Sequence, residues 1–223
     1  MRPSLLRMRL LVWFTTLGAL LAVTRGAGAE PAAAAAAPGS APVRVVEKLH
    51  VALLGVMKDA EKLGYRGRYD RLAPVLKETY DTPFMAEKSV GRHWKQATPA
   101  EQAELIETFS RFMISNYAGR FDDYSGQAFE TLGEEPSAQN TVLVRTRLTE
   151  PQGEGVKLDY RLREVGGQWK IIDVYLNGTV SELALRRSEY ASLIKRDGWK
   201  ALIAALDQRI ATLATTPADH DLN

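Results

Sequence analysis

Few residues in this chain have the type and spacing to do covalent chemistry. Ser192-Leu193-Ile194-Lys195 has the S-x-x-K spacing of a serine nucleophile and its lysine. The companion motifs S-D-N and K-T-G are absent, and a lone four-residue match recurs by chance. The three histidines, His50, His93 and His220, are not spaced as a metal pair, and a chain without cysteine has no thiolate ligand. No phosphate-cradling glycine loop and no G-x-S-x-G occur. The expectation is a protein with no catalytic group, no metal and no cofactor.

Asp173 is the one carboxylate that argues otherwise. It lies within the apolar run QWKIIDVYL (168–176), where Ile172 and Val174 point to one face and Asp173 to the other. A covered carboxylate needs hydrogen bonds or a partner. Asp173 is therefore either structural, bonded to a backbone amide or a basic side chain near the end of a sheet, or a general base inside a pocket. A second cluster, Arg92, His93, Trp94 and Lys95 behind Gly91, suits a nucleic-acid patch, a membrane anchor or a buried pocket. Arg186 and Arg187 form a solvated helix face or a contact for acidic partner groups.

Composition narrows these choices. Residues 1–29 read as an export signal: Arg2, Arg7 and Arg9, then the apolar LLVWFTTLGALLAV (10–23), then Ala27-Gly28-Ala29. They hold four of the 29 basic residues and no acid, so the remainder is 25 basic against 27 acidic, a net of −2. A phosphate-backbone binder needs a net basic stripe, so no nucleic-acid partner is expected. Without disulfides, an exported chain must be held by its core. Residues 30–42, EPAAAAAAPGSAP, read as a flexible leader; residues 43–214 as one domain; residues 215–223 as a frayed tail.

Apolar spacing sets the elements. Helices are expected over 43–64, with a stop at Gly64, over 69–80, with a kink or restart at Pro74, and over about 83–95 after Asp81-Thr82-Pro83. Thr98-Pro99-Ala100-Glu101 predicts a capping box, followed by the stripe Leu105, Phe109, Phe112, Met113 and Tyr117. The period then becomes two. AFETL (128–132), TVLVRTRL (141–148), VKLDYRLRE (156–164) and QWKIIDVYL read as four antiparallel strands, and Asn177-Gly178 as a turn leaving the last. Two helices, 181–198 and 199–214, close the chain. The order predicts an α+β fold: a four-stranded, curved antiparallel sheet packed against N- and C-terminal helices around an apolar cavity. Such a cavity would be lined by Phe84, Met85 and Val90 on the third helix, Phe109, Phe112, Met113 and Tyr117 on the fourth, and Val144, Leu158 and Tyr160 on the sheet.

Three ordered blocks carry a resemblance. Asp81, Met85, Gly91, Arg92, Trp94, Thr98, Pro99, Gln102 and Phe109 stand where the MlaC, or toluene-tolerance, family of lipid-binding proteins has its signature. Tyr160, Trp169, Lys170, Asp173, Val174 and Gly178 match its strand pair, and Arg187, Ser188, Glu189, Tyr190, Gly198, Leu202 and Ile203 its closing helices. The similarity spans about residues 43–213, and DVYLNGTVSELALRRSEY resembles the HpnM branch, associated with hopanoid biosynthesis. The resemblance implies a soluble periplasmic shuttle, not an enzyme. It would shield a hopanoid or phospholipid in the cavity and exchange it with membrane-bound transport complexes. Each methylene left in water costs roughly 0.8 kcal/mol, so such a carrier must enclose most of the hydrocarbon. A monomer is expected. The alternative is a small-molecule isomerase or lyase on a cone-shaped scaffold, with Asp173 as base.

Overall fold

The sheet is a plain antiparallel meander, and helices precede and follow it along the chain. A computed structural model describes residues 39–151 and 155–215. The export signal, nearly all of the leader, the tip of the 149–155 hairpin loop and the tail beyond residue 215 lie outside the described residues. Among the described residues, no helix is long and apolar enough to cross a membrane.

Helix α1 (Ala41–Lys58) starts two residues earlier than expected, taking the end of the leader. Ser40 caps it by accepting the Val43 amide at 3.3 Å, and Pro42 sits in the first turn, where no amide donor is missed. Helix α2 (Ala60–Thr79) follows after Asp59 alone. Gly64 breaks it with φ 57 and ψ −177, a conformation open to glycine, so two helical stretches meet at the expected stop, while the break at Asp59 is an additional one. Pro74 neither ends nor restarts it. Its ring lies on the exposed face, and the Asp70 residue that loses its bonding partner is exposed too.

Helix α3 (Thr82–Val90) is capped by Asp81, which accepts the Phe84 amide at 3.2 Å. It ends five residues before expectation, because Gly91 turns to φ 56 and the chain tightens into a 3-10 helix over Gly91–Gln96. Helix α4 (Pro99–Arg120) has the predicted capping box: Thr98 Oγ1 accepts the Glu101 amide, and Glu101 Oε2 accepts the Thr98 amide.

Strands β1 (Ala128–Ser137), β2 (Thr141–Thr149), β3 (Val156–Val165) and β4 (Gln168–Leu176) pair in sequence order. A fifth, β5 (Val180–Ser181), was not expected. Asn177 (φ 51) and Gly178 (φ 73) form a tight reversal that folds the chain back onto β4, instead of leading it away. The register slips between Arg161 and Leu162: Asp173 faces Arg161 and Ile171 faces Leu162, leaving Ile172 as an extra residue. That bulge explains why Ile171, Ile172 and Asp173 are buried in succession. The other edge of β4 is held at its start by Tyr80, bridged to Ile171, with the Asp81 amide donating to Ile171 O at 2.9 Å.

Helix α1 crosses the sheet, α2 packs on α1, α4 on α2, and α6 (Trp199–Thr215) on α4. Helix α5 (Glu182–Asp197) packs on α3, β4 and the 3-10 segment. One contiguous apolar core runs from Val46, Leu49 and Leu53 through Leu105, Ile114 and Leu162 to Leu202 and Leu206.

Candidate functional site

Nine of the ten residues expected to line a cavity lie in or against this core: Met85, Val90, Phe109, Phe112, Met113, Val144, Leu158 and Tyr160 are buried, and Tyr117 packs against them half-buried. Phe84 departs from the group. Its ring lies under the Arg163 guanidinium at 4.0 Å and near Lys88 at 5.1 Å, because Arg163 is drawn to Asp81 beside it. Phe112, buried in the core, also has Arg186 of α5 5.4 Å from its ring centre. Apart from Phe84, the predicted residues thus share one apolar cluster.

The interior holds an aromatic chain that spacing did not reveal. His50 on α1 stacks on Phe129 of β1, 3.9 Å between centroids and 9° between planes. Its Nε2 lies 3.2 Å from the Tyr160 hydroxyl of β3. Phe129 approaches Phe121, which stacks on Tyr117 at 5.6 Å. The Tyr117 and Tyr80 hydroxyls share a hydrogen bond. His50 was detectable in one way: it sits one turn after Val46, on the helix face that buries Leu49 and Leu53. Its partners are distant in sequence and left no local signal.

The members of this aromatic chain are polar in places and uncharged, with the buried carboxylates Asp159 and Asp173 acting on Tyr160 and Tyr80 from outside it. Burial pulls the His50 imidazole down to about 3, so it is neutral at ordinary pH. Burial likewise drives the Tyr80 and Tyr160 phenols well above their usual range and pushes Tyr117 up to about 12. All four groups stay neutral hydrogen-bonding partners at pH 7.

Asp173 takes the structural role. Oδ1 accepts the Val174 amide at 2.8 Å and the Leu183 amide at 3.0 Å, and Oδ2 accepts the Ser181 hydroxyl at 2.6 Å. Ser181 in turn accepts the Ala184 amide, so the two side chains cap α5 together. Burial pushes the carboxyl up, opposed by these bonds and by Arg161. With both oxygens engaged by donors of the fold, the group is spoken for before any substrate arrives. Ser192 and Lys195 are exposed on α5, and no hydrogen bond joins them among the described residues. Among the described residues there is also no cluster of His, Asp and Glu able to hold a metal.

The opening basic cluster separates by function. Trp94 packs half-buried against the core, and its carbonyl accepts the Gln102 side-chain amide at 3.0 Å. Arg92 and Lys95 are exposed. Two concavities lie on α5. One, of about 290 Å³, is lined by Val90, Gly91, Arg92, His93, Arg187 and neighbouring α5 residues. The other, of about 420 Å³, opens between α5 and α6 around Tyr190, Leu193, Leu202 and Leu206. Of the ten predicted residues, only Val90 lines either.

Comparison with known proteins places this architecture. Residues 47–208 match the family model described as MlaC protein. The toluene tolerance protein ttg2D of Pseudomonas putida is 26% identical over 181 residues, which cover 75% of this chain and 83% of that protein. The solved structure of a phospholipid-binding protein from Ralstonia solanacearum, in complex with a phospholipid, superimposes with a TM-score of 0.68. It is 26% identical and covers 79% of this chain and 100% of that one.

Proposed function

The chain belongs to the MlaC family, and on that premise we propose that it carries a lipid, most simply a phospholipid, with the acyl chains held between the sheet and helices α1 and α4. The observation that carries this reading is the uncharged aromatic chain inside the fold: His50, Tyr80 and Tyr160 are buried, and Tyr117 packs half-buried against them. Around them, Met85, Val90, Phe109, Met113, Val144 and Leu158 supply apolar surface, and these residues with Tyr117 and Tyr160 are the proposed lining. Acyl chains exclude water from such a surface, and the driving force is about 25 cal/mol per Å² of apolar area buried. Phe112, buried in the same core, belongs to the proposed lining too, and Phe84, partly covered by Arg163, takes a lesser part.

The same reading makes residues 1–29 an export signal and the periplasm the place of work, with membrane-bound complexes as transient donors and acceptors of cargo. No chemical step is required. The isomerase alternative loses its base, since Asp173 is occupied in capping α5. The run that resembles the hopanoid-associated branch, DVYLNGTVSELALRRSEY, builds the β4–β5 reversal and this cap. Its main features thus have a structural explanation that does not involve cargo.

Solvent extraction and mass spectrometry of the purified protein test the proposal. Phospholipid in near-stoichiometric amount is the expected result. A polycyclic triterpenoid instead would move the cargo to hopanoids, and an extract without lipid would overturn the carrier reading.

A further inference from the structure

The geometry points to an oxyanion site on the outer side of α5, specific for a phosphate group. Arg187, Ala191 and Lys195 recur every four residues and so share one face of the helix. Ala191 is short, and the dent it leaves between two long cations is the 290 Å³ concavity. Arg92 and His93 close it from the 3-10 segment, Ser192 adds a hydroxyl, and Val90 and Gly91 complete the lining. Every titratable group lining this space is basic. No ion pair reaches Arg92, Arg187 or Lys195 among the described residues.

The neighbouring arginine shows how differently Arg187 is treated. Arg186 is mostly covered, pairs with Glu182 at 3.5 Å and Glu189 at 3.3 Å, and lies over Phe112. Arg187, one residue on, is turned about 100° around the helix, away from both carboxylates. The second concavity on α5 differs as well: Glu189 stands in its lining with Arg196 and Arg209, and pairs with Arg209 at 3.6 Å. Only the Arg187 concavity gathers uncompensated cations.

Arg187 is also placed. A Cβ added to Gly91 would stand 2.9 Å from its Nε and 3.4 Å from an Nη, so the guanidinium lies against bare backbone. Gly91 serves twice, accepting φ 56 and leaving this room. A planar guanidinium lying against the Gly91 backbone, with an ammonium and a hydroxyl in the same lining, matches the tetrahedral oxygens of a phosphate. The volume is at the lower limit for small-ligand pockets, about 300 Å³, which admits a headgroup-sized molecule and not a chain segment. The site does not depend on the carrier reading, and the two can fail separately.

Titration of the purified full chain with sn-glycerol 3-phosphate, and separately with inorganic phosphate, tests it through the Gly91 amide resonance. Saturable shifts are expected, weakened about tenfold or more by Arg187→Gln, where a charge-assisted pair is lost, and unchanged by Arg147→Gln on β2. Gly91→Ala keeps every cation but displaces Arg187, and should weaken binding too. Co-sedimentation with phosphatidylglycerol vesicles separates the sources. Arg187-dependent binding that glycerol 3-phosphate competes away identifies a lipid headgroup; soluble phosphate binding without vesicle binding identifies a free phosphate. Either supports the site. Shifts that do not saturate, or that are the same in Arg187→Gln, overturn it.

Discussion

The Ser181 hydroxyl donates to Asp173 Oδ2 at 2.6 Å and accepts the Ala184 amide at 2.9 Å, so a strand carboxylate and a helix cap act as one unit. Asp173→Asn keeps the shape but puts an amide donor where a donor already points. It should destabilise the protein by about 1–2 kcal/mol. Ser181→Ala should cost a similar amount, and the double variant less than the sum, because both remove the same cap. Urea unfolding of the four proteins checks this. Lipid content should stay unchanged in Asp173→Asn; a lost turnover with intact ligand binding would restore the enzyme reading.

His50 should make the fold sensitive to mild acid. Its pKa is about 3 when folded against an ordinary 6.5. A depressed histidine binds its proton in the unfolded chain first, so its contribution is intact above 6.5 and falls as the pH drops toward 3. The loss reaches about 2 kcal/mol at about pH 5. Asp159 and Asp173, both raised by burial, are present in any His50 variant, so the difference between profiles isolates the histidine. His50→Gln should flatten the profile between about pH 7 and about pH 5; identical slopes would place the proton elsewhere.

Arg68 ties α2 to the end of α4. Its Nε donates to Ala118 O at 2.8 Å and an Nη to Ala60 O at 3.2 Å, while the residue is buried. Arg68→Ala would strand both carbonyls and open a space, at a cost of about 2–4 kcal/mol. Arg68→Lys should recover little, because one ammonium cannot reach two diverging acceptors as the fork does. Thermal unfolding of the two variants should give similar losses.

Met113 tests the interior as a ligand surface. It is buried on α4 beside the aromatic chain. Met113→Gln should lower the lipid retained through purification by a larger factor than it lowers the unfolding midpoint, since the amide meets hydrocarbon whenever cargo is bound. Met113→Leu, close in volume, should retain lipid. Equal retention in both variants would move the cargo away from α4.

Where local chemistry set the structure, the sequence was readable. Thr98, Pro99 and Glu101 announce α4, Asp81 announces α3, and the alternation in TVLVRTRL and VKLDYRLRE survives as β2 and β3. A two-residue strand has no period, so β5 was invisible, although Asn177-Gly178 is a hairpin signal that was read as an exit. Ile172 hid its bulge because an apolar run looks the same with or without an extra residue. Pro74 does not restart the helix, since the bond it removes lies on the exposed face, where water can replace it. The apolar stripes of α3, α4 and the sheet were legible as faces that the fold buries. Their aromatic connection was not: His50 and Tyr160 stand 110 residues apart, and only the packing of α1 on the sheet joins them.

The outermost strand, β1, has only β2 beside it. Its register shifts between Thr131 and Gly133, Pro136 has no amide to donate, and Glu130, Glu134 and Glu135 crowd the same ten residues. Glu134 also accepts the Ser40 hydroxyl at 2.7 Å, which holds the start of α1 nearby. At the far side, β5 is two residues long. An incoming strand would find a kinked, acidic, partly donorless border at one end and too short a one at the other. The meander is thus guarded against edge-to-edge aggregation, a useful property for a chain whose core must be apolar enough to hold it together without disulfides.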